Sequence, residues 1–119
     1  MLTVSLSLAA ICFTYQAVEE CHNVLIGHRT PVGEFQLAQR FTDTKGYGGD
    51  VLQFRETDHE VMAIHRVWTL NPEQRRVERL ASTDPKQRRF VTNGCINVSP
   101  KVYDRLVECC SDSKIAVVK

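Results

Sequence analysis

Most of the chain alternates apolar and polar residues with the period of a strand, and only two segments carry the signals that start a helix. Leu2, Val4, Leu6 and Leu8 alternate with Thr3, Ser5 and Ser7. Residues 11–18, 34–41, 51–54, 60–68 and 114–119 read as further strands, rich in β-compatible residues. Within 60–68, Val61, Ala63, His65 and Val67 share one face, and Met62, Ile64, Arg66 and Trp68 the other. The helix signals are Asn71-Pro72, with Gln74 at the capping-box position, and Ser99-Pro100. The first predicts a short helix to about Leu80 with Val77 and Leu80 inward. The second predicts a helix to about Cys110 with Val102, Tyr103, Leu106, Val107 and Cys110 on one stripe. Residues 27–33, 43–50 and 82–87 read as turns or loops, and 90–92 as a short extended lead-in to Cys95. No strict βαβ alternation appears, so the expected architecture is mainly β, a sandwich or barrel-like domain with two short helices. The 119 residues suit a single domain over 1–119.

Charge narrows the function classes. Lys plus Arg number 15 and Asp plus Glu 14, a balance that argues against a nucleic-acid binder. The distribution is uneven: from Arg66 to Arg89 seven basic residues stand against three acidic ones. Two readings apply to that stretch. One is a solvated basic face. The other is a cradle for a carboxylate-bearing substrate, with Arg66, Arg75, Arg76 and Arg79 as binding residues, since guanidinium forks match carboxylates.

Five cysteines are too few for a dense disulfide scaffold, and the odd number leaves at least one free within a single chain. Cys12 and Cys21 can pair. Cys109 and Cys110 read as ordinary small apolar residues of a helix. Residues 6–13 resemble a short signal-peptide apolar stretch, but no Lys or Arg precedes Arg29, so a convincing signal peptide is missing and a strand is the favoured reading. The same run is too short to span a bilayer.

Cys95 stands apart, in the polar turn Thr92-Asn93-Gly94-Cys95-Ile96-Asn97. A thiol reacts as thiolate and needs a base or positive surroundings. Gly94 permits close backbone approach to a substrate, and amides near Cys95 can face an oxyanion. All four histidines, His22, His28, His59 and His65, precede Cys95, which excludes a papain-like Cys-before-His order. His65 alone sits mid-strand, on a platform able to aim its ring. There is no CxxC, HExxH, EF-hand, GxSxG or P-loop pattern, so neither metal nor cofactor is expected.

Three separated pieces resemble the L,D-transpeptidase (YkuD-like) catalytic domain. Thr30-Pro31-Val32-Gly33-Glu34-Phe35 is similar to its TPxGxF segment, Ala63-Ile64-His65 to the strand bearing its catalytic histidine, and Thr92–Asn97 to its [Ser/Thr]-x-Gly-Cys-x-[Arg/Asn] signature. The resemblance covers about residues 24–119. It implies that Cys95 attacks a peptidoglycan stem peptide, forms a thioester, releases a terminal D-amino acid and passes the acyl group to an amine, with His65 as base. It further implies a backbone carbonyl orienting the histidine, oxyanion donors at Gly94 and Cys95, and turn-shaping roles for Thr92, Asn93 and Asn97. Carbapenem-class β-lactams are the implied covalent inhibitors, and the periplasm or cell wall the implied location. Sister readings are an L,D-carboxypeptidase or amide hydrolase, and a catalytically silent cell-wall-binding domain. Two departures stand out. Asn93 occupies a position where many members carry His, which removes any titrating role there. The 29 residues between His65 and Cys95 exceed the usual gap and resemble a helical insertion beside the site.

Overall fold

The alternation that starts at Leu2 forms strand β1 (Leu2–Ser5), with Leu2 and Val4 fully buried. The computed structural model describes residues 1–119. The strand expected over 2–8 stops at Ser5 because the chain reverses. Leu8 N–H donates to Ser5 Oγ at 3.3 Å, Ala9 N–H donates to the Leu6 carbonyl at 3.3 Å, and Leu8 is left 59% exposed.

The strand expected over 11–18 is instead a hairpin of β2 (Ala10–Tyr15) and β3 (Val18–Asn23). Its two-residue turn is Gln16-Ala17, at φ 52° and 65°. Left-handed pairs of this kind normally use Asn or Gly, so the sequence carries no turn signal there. Likewise the run 34–41 divides at buried Leu37 into β4 (Gly33–Gln36) and β5 (Ala38–Phe41). β4 pairs with β9 (Lys114–Val118), whereas β5 pairs with β6 (Asp50–Glu56). One apolar run therefore serves two sheets.

The first sheet has strand order β3-β2-β1-β9-β4. The second has order β5-β6-β7-β8, where β7 is Val61–Arg66 and β8 is Ile96–Val98. The mainly β expectation holds. Helix α3 (Pro100–Cys110) starts as its sequence dictates, with Val102 N–H donating to Ser99 Oγ at 3.2 Å and Pro100 in the first turn. It packs against β7 and β2 and buries Val102, Tyr103, Leu106 and Cys110. The core joins this face to both sheets through Leu2, Ile11, Leu52, Ile64, Ile96 and Ile115. No helix is long and apolar enough to cross a membrane.

The segment between His65 and Cys95 departs from the expected single helix. Asn71 does cap it, but the first turn is a 3-10 turn (Pro72–Gln74) that ends at Arg75 in the left-handed region. Helices α1 (Arg76–Ala81) and α2 (Pro85–Arg88) follow, the second lying in the expected loop 82–87 and capped by Asp84. Val77, expected inward, is 53% exposed because the break at Arg75 resets the helical phase. The anchor is Arg88, which is buried and donates to the carbonyls of Leu8, Ala9 and Ser82. These carbonyls satisfy the guanidinium without a carboxylate.

Cys12 and Cys21 face each other across β2 and β3 and are disulfide-bonded. Cys109 and Cys110 are bonded to each other at the end of α3, so the reading of both as ordinary apolar residues is corrected: adjacency brings the two sulfurs within bonding reach.

A buried polar network fixes the loop before β6. Asp50 receives hydrogen bonds from Gln39 Nε2 (2.8 Å) and Tyr103 Oη (2.9 Å) and pairs with Arg66 Nη1 at 3.0 Å. Burial pushes its carboxyl up, but the bonds from Gln39, Tyr103 and Arg66, with the Arg66 charge, outweigh this and hold it below the usual carboxylate range. The stability this contributes is complete above the unfolded carboxyl value of about 3.9 and is lost as pH falls through the depressed folded value. Asp50→Asn should cost about 2–3 kcal/mol at neutral pH. Urea midpoints measured across pH should show that deficit closing as the solution is acidified below about pH 4.

Candidate active site

Parallel pairing of β7 with β8 sets Ile64 beside Ile96 and His65 beside Asn97. Because side chains alternate, Met62, Ile64, Ile96 and Val98 enter the core, and Ala63, His65, Cys95 and Asn97 share the opposite face. Cys95 and His65 both line two adjacent cavities, of about 310 and about 350 Å³. Tyr47 lines both as well, its ring edge-on to the imidazole at 4.8 Å.

The turn bearing Cys95 is held by its own residues and by the Thr30-Pro31 segment. Thr92 Oγ1 donates to the Cys95 carbonyl at 2.6 Å and accepts from Gly94 N–H at 3.1 Å. Thr30 Oγ1 accepts from Gly27 N–H and donates to the Gly94 carbonyl, both at 3.0 Å. Gly94 has φ 135°, and a Cβ there would meet Met62. Gly27 lies so close that a Cβ would strike the Thr92 carbonyl. Leu25 exchanges backbone hydrogen bonds with Asn97 at 3.0 and 2.9 Å, extending this seam along the edge of β8.

His65 is 3% exposed. Its Nδ1 lies 2.7 Å from the Arg66 carbonyl, which can only accept, so Nδ1 carries the proton and Nε2 the lone pair. Burial drives the imidazole pKa down. The Arg66 carbonyl opposes that shift and the Arg76 charge adds to it, leaving a value of about 4. Nε2 faces Asn97 Nδ2 at 3.4 Å. The Asn97 amide is oriented by its oxygen, which accepts from Trp68 N–H (3.2 Å) and Arg76 Nη1 (3.0 Å).

Cys95 is the one free cysteine. Its thiol points to the Val61 carbonyl at 3.9 Å and makes no hydrogen bond to His65. Burial and, less strongly, Glu60 raise its pKa, while the Ala63 amide and Arg76 lower it, and the net value lies above that of an ordinary thiol. The resting pair is thus neutral thiol and neutral imidazole. Such a pair can perform nucleophilic chemistry in which the base takes the proton as the sulfur attacks.

The remaining candidate residues fall into two groups. Thr92, Asn93 and Arg76 line the cavity that holds Cys95, and Gly94 and Asn97 brace it. Arg66 points to the other face, over the Tyr103 ring at 4.2 Å, where it also donates to the Tyr47 carbonyl at 2.9 Å. Arg75 is exposed beside Glu78, and Arg79 donates to the carbonyls of Gln87 and Arg89. Tyr47, Trp68, Gln74 and Gly27 also build the site, yet sequence reasoning did not single them out. The signals available were the glycines flanking Tyr47 and the status of Trp68 as the lone tryptophan.

No protein-family model matches the sequence, and no curated protein sequence matches it. Among solved structures, the Ldtfm–avibactam carbamoyl enzyme aligns with TM-score 0.71 at 16% identity, over 99% of this chain and 48% of that one. L,D-transpeptidase 1 of Mycobacterium tuberculosis aligns with TM-score 0.60 at 18% identity, over 100% of this chain and 61% of that one. The chain has the fold of these L,D-transpeptidases and spans about half of the first and three fifths of the second.

The depressed imidazole also makes a stability prediction. Folding favours neutral His65, so its contribution is complete above the unfolded value of about 6.5 and is lost as pH falls through the folded value of about 4. That difference corresponds to about 3 kcal/mol. His65→Gln should therefore lose less stability than the wild type between those two pH values, as read from urea midpoints.

Proposed function

We propose that the protein is a cysteine L,D-transpeptidase acting on peptidoglycan stem peptides at the cell wall. The observation that carries this reading is the shared position of free Cys95 and buried, neutral His65 on one sheet face, opening into the same cavities, within an L,D-transpeptidase fold.

The thiol leaves the Val61 carbonyl and turns to His65 Nε2. Sulfur attacks the carbonyl carbon as Nε2 takes the thiol proton. The oxyanion forms beside the Cys95 amide, which no bond of the turn engages; the Gly94 amide is already committed to Thr92 Oγ1. Collapse breaks the C–N bond, and the imidazolium protonates the departing amine of the terminal D-amino acid. A thioester remains on Cys95. An acceptor amine then attacks it, its proton passing to His65 and on to the departing thiolate. Nδ1–H stays on the Arg66 carbonyl throughout and keeps the ring aimed.

The Ldtfm structure is an avibactam carbamoyl enzyme. By analogy, avibactam or a carbapenem should leave an adduct on Cys95, seen by intact mass and peptide mapping and lost in Cys95→Ala. Cys95→Ala should also end release of a D-amino acid from a stem-peptide donor, and turnover surviving in that variant would end the assignment. His65→Ala should slow acylation by about 10²–10⁴-fold. The acid limb of kcat/KM should lie near 4 rather than at the usual imidazole value, since acid must protonate a base whose pKa is about 4.

A further inference from the structure

Of the arginines between His65 and Cys95, Arg76 alone reaches the cavity that holds the thiol. Its Nε donates to Gln74 Oε1 at 2.8 Å and its Nη1 to Asn97 Oδ1 at 3.0 Å. Its guanidinium carbon lies 5.3 Å from the Trp68 ring centroid. These contacts hold the fork in place, yet no carboxylate pairs with it and its Nη2 donates to nothing in the protein. Burial already disfavours its charge. Two other arginines resolve this problem: Arg66 has Asp50, and Arg88 has three carbonyls. Neither cavity at Cys95 is lined by any Asp or Glu, and the second holds Arg40. A fixed, half-buried cation with free donors and no counter-charge, in a cleft without acids, is a carboxylate receptor.

We propose that Arg76 is the specificity-determining residue of this site, selecting acyl donors that present a free carboxylate on the Asn97 side of Cys95. Selection of the carboxylate rests on the cavity alone; its use in acyl transfer rests on the L,D-transpeptidase reading above. The carboxylate takes the open Nη2 edge, while Nη1 and Nε keep their bonds to Asn97 and Gln74. Pairing therefore fixes the donor without releasing the Asn97 amide from its place beside His65.

Cys95 being the one free thiol, alkylation reports on it directly. Iodoacetate and iodoacetamide offer the same electrophilic carbon and differ in charge. In the wild type, the iodoacetate-to-iodoacetamide rate ratio should exceed that of a small free thiol by about fivefold to tenfold, and added salt should reduce it. Arg76→Gln should bring the ratio down to the free-thiol value, Arg76→Lys should retain part of it, and Lys86→Gln, an equal charge loss in the same segment, should leave it unchanged. A ratio cancels general changes in thiol reactivity, and thermal unfolding checks that each variant is folded. An Arg76→Gln ratio equal to the wild-type ratio overturns the proposal. The donor reading adds a second arm: converting the donor's carboxylates to carboxamides should raise KM in the wild type and leave KM unchanged in Arg76→Gln. A lost alkylation preference without any acyl transfer would overturn the transpeptidase reading and leave the receptor standing, whereas a Cys95 acyl adduct with unchanged alkylation ratios would do the reverse.

Discussion

The parallel pairing of β7 with β8 is the constraint on which the site depends. It is short, with Ile64, His65 and Arg66 opposite Ile96, Asn97 and Val98. Its register sends Ile64 and Ile96 into the core and turns His65, Asn97 and Cys95 to the cavities. A slip of β7 by one residue would exchange its faces, exposing Ile64 and turning the His65 imidazole into the apolar core. The core therefore protects the geometry of the candidate site: the burial that holds Ile64 and Ile96 also fixes the relation between His65 and Cys95. The edge of β8 is closed by Leu25, and the turn before it by Thr30 and Gly27, so backbone from three distant parts of the chain meets at one strand.

Burial has an electrostatic consequence at this site. It lowers the imidazole pKa and raises that of the thiol, both of which oppose a preformed ion pair. Arg76 favours the thiolate and disfavours the imidazolium, so its charge has little effect on the proton balance between them. What the cation changes is the potential felt by an incoming group. In a cleft without acids, that potential acts on an incoming anion more than on the thiol and the imidazole.

Much of this was legible in the sequence, and the omissions have physical causes. Period-two alternation gave the β-rich class, and Ser99-Pro100 gave the start of α3. The hairpin at Gln16-Ala17 was invisible because neither residue favours positive φ; pairing across β2 and β3, with the Cys12–Cys21 bond, holds the turn instead. The division at Leu37 was hidden because a buried corner residue looks like any strand residue. At the site, residue types and order put Cys95 and His65 forward as candidates, and the two do line the same cavities, but nothing in the sequence marked Gly27, whose place is set by the Thr92 carbonyl across the seam. The Arg66 carbonyl beside His65 Nδ1 belongs to the backbone and leaves no trace in residue type.

The basic stretch from 66 to 89 shows why charge counts cannot name a binding surface. Its arginines are alike in sequence and unlike in what they bond. Arg88 is consumed by three carbonyls, those of Leu8 and Ala9 tying α2 to the turn after β1 and that of Ser82 tying it to the end of α1. Arg79 is consumed by two more, and Arg66 by Asp50 and the Tyr47 loop. Arg75 sits in solvent beside Glu78, where its pairing contributes little. These four account for much of the segment's attachment and surface, Arg89 lies over the Phe90 ring with its Nε buried and unpaired, and Arg76 is the arginine with unfinished bonds that faces the thiol. The left-handed Arg75 is what aims Arg76: by breaking the helix after Gln74, it starts α1 at Arg76, and the first residue of α1 then turns toward Asn97 rather than toward water. The same break that exposed Val77 therefore placed a cation in the cavity of the thiol.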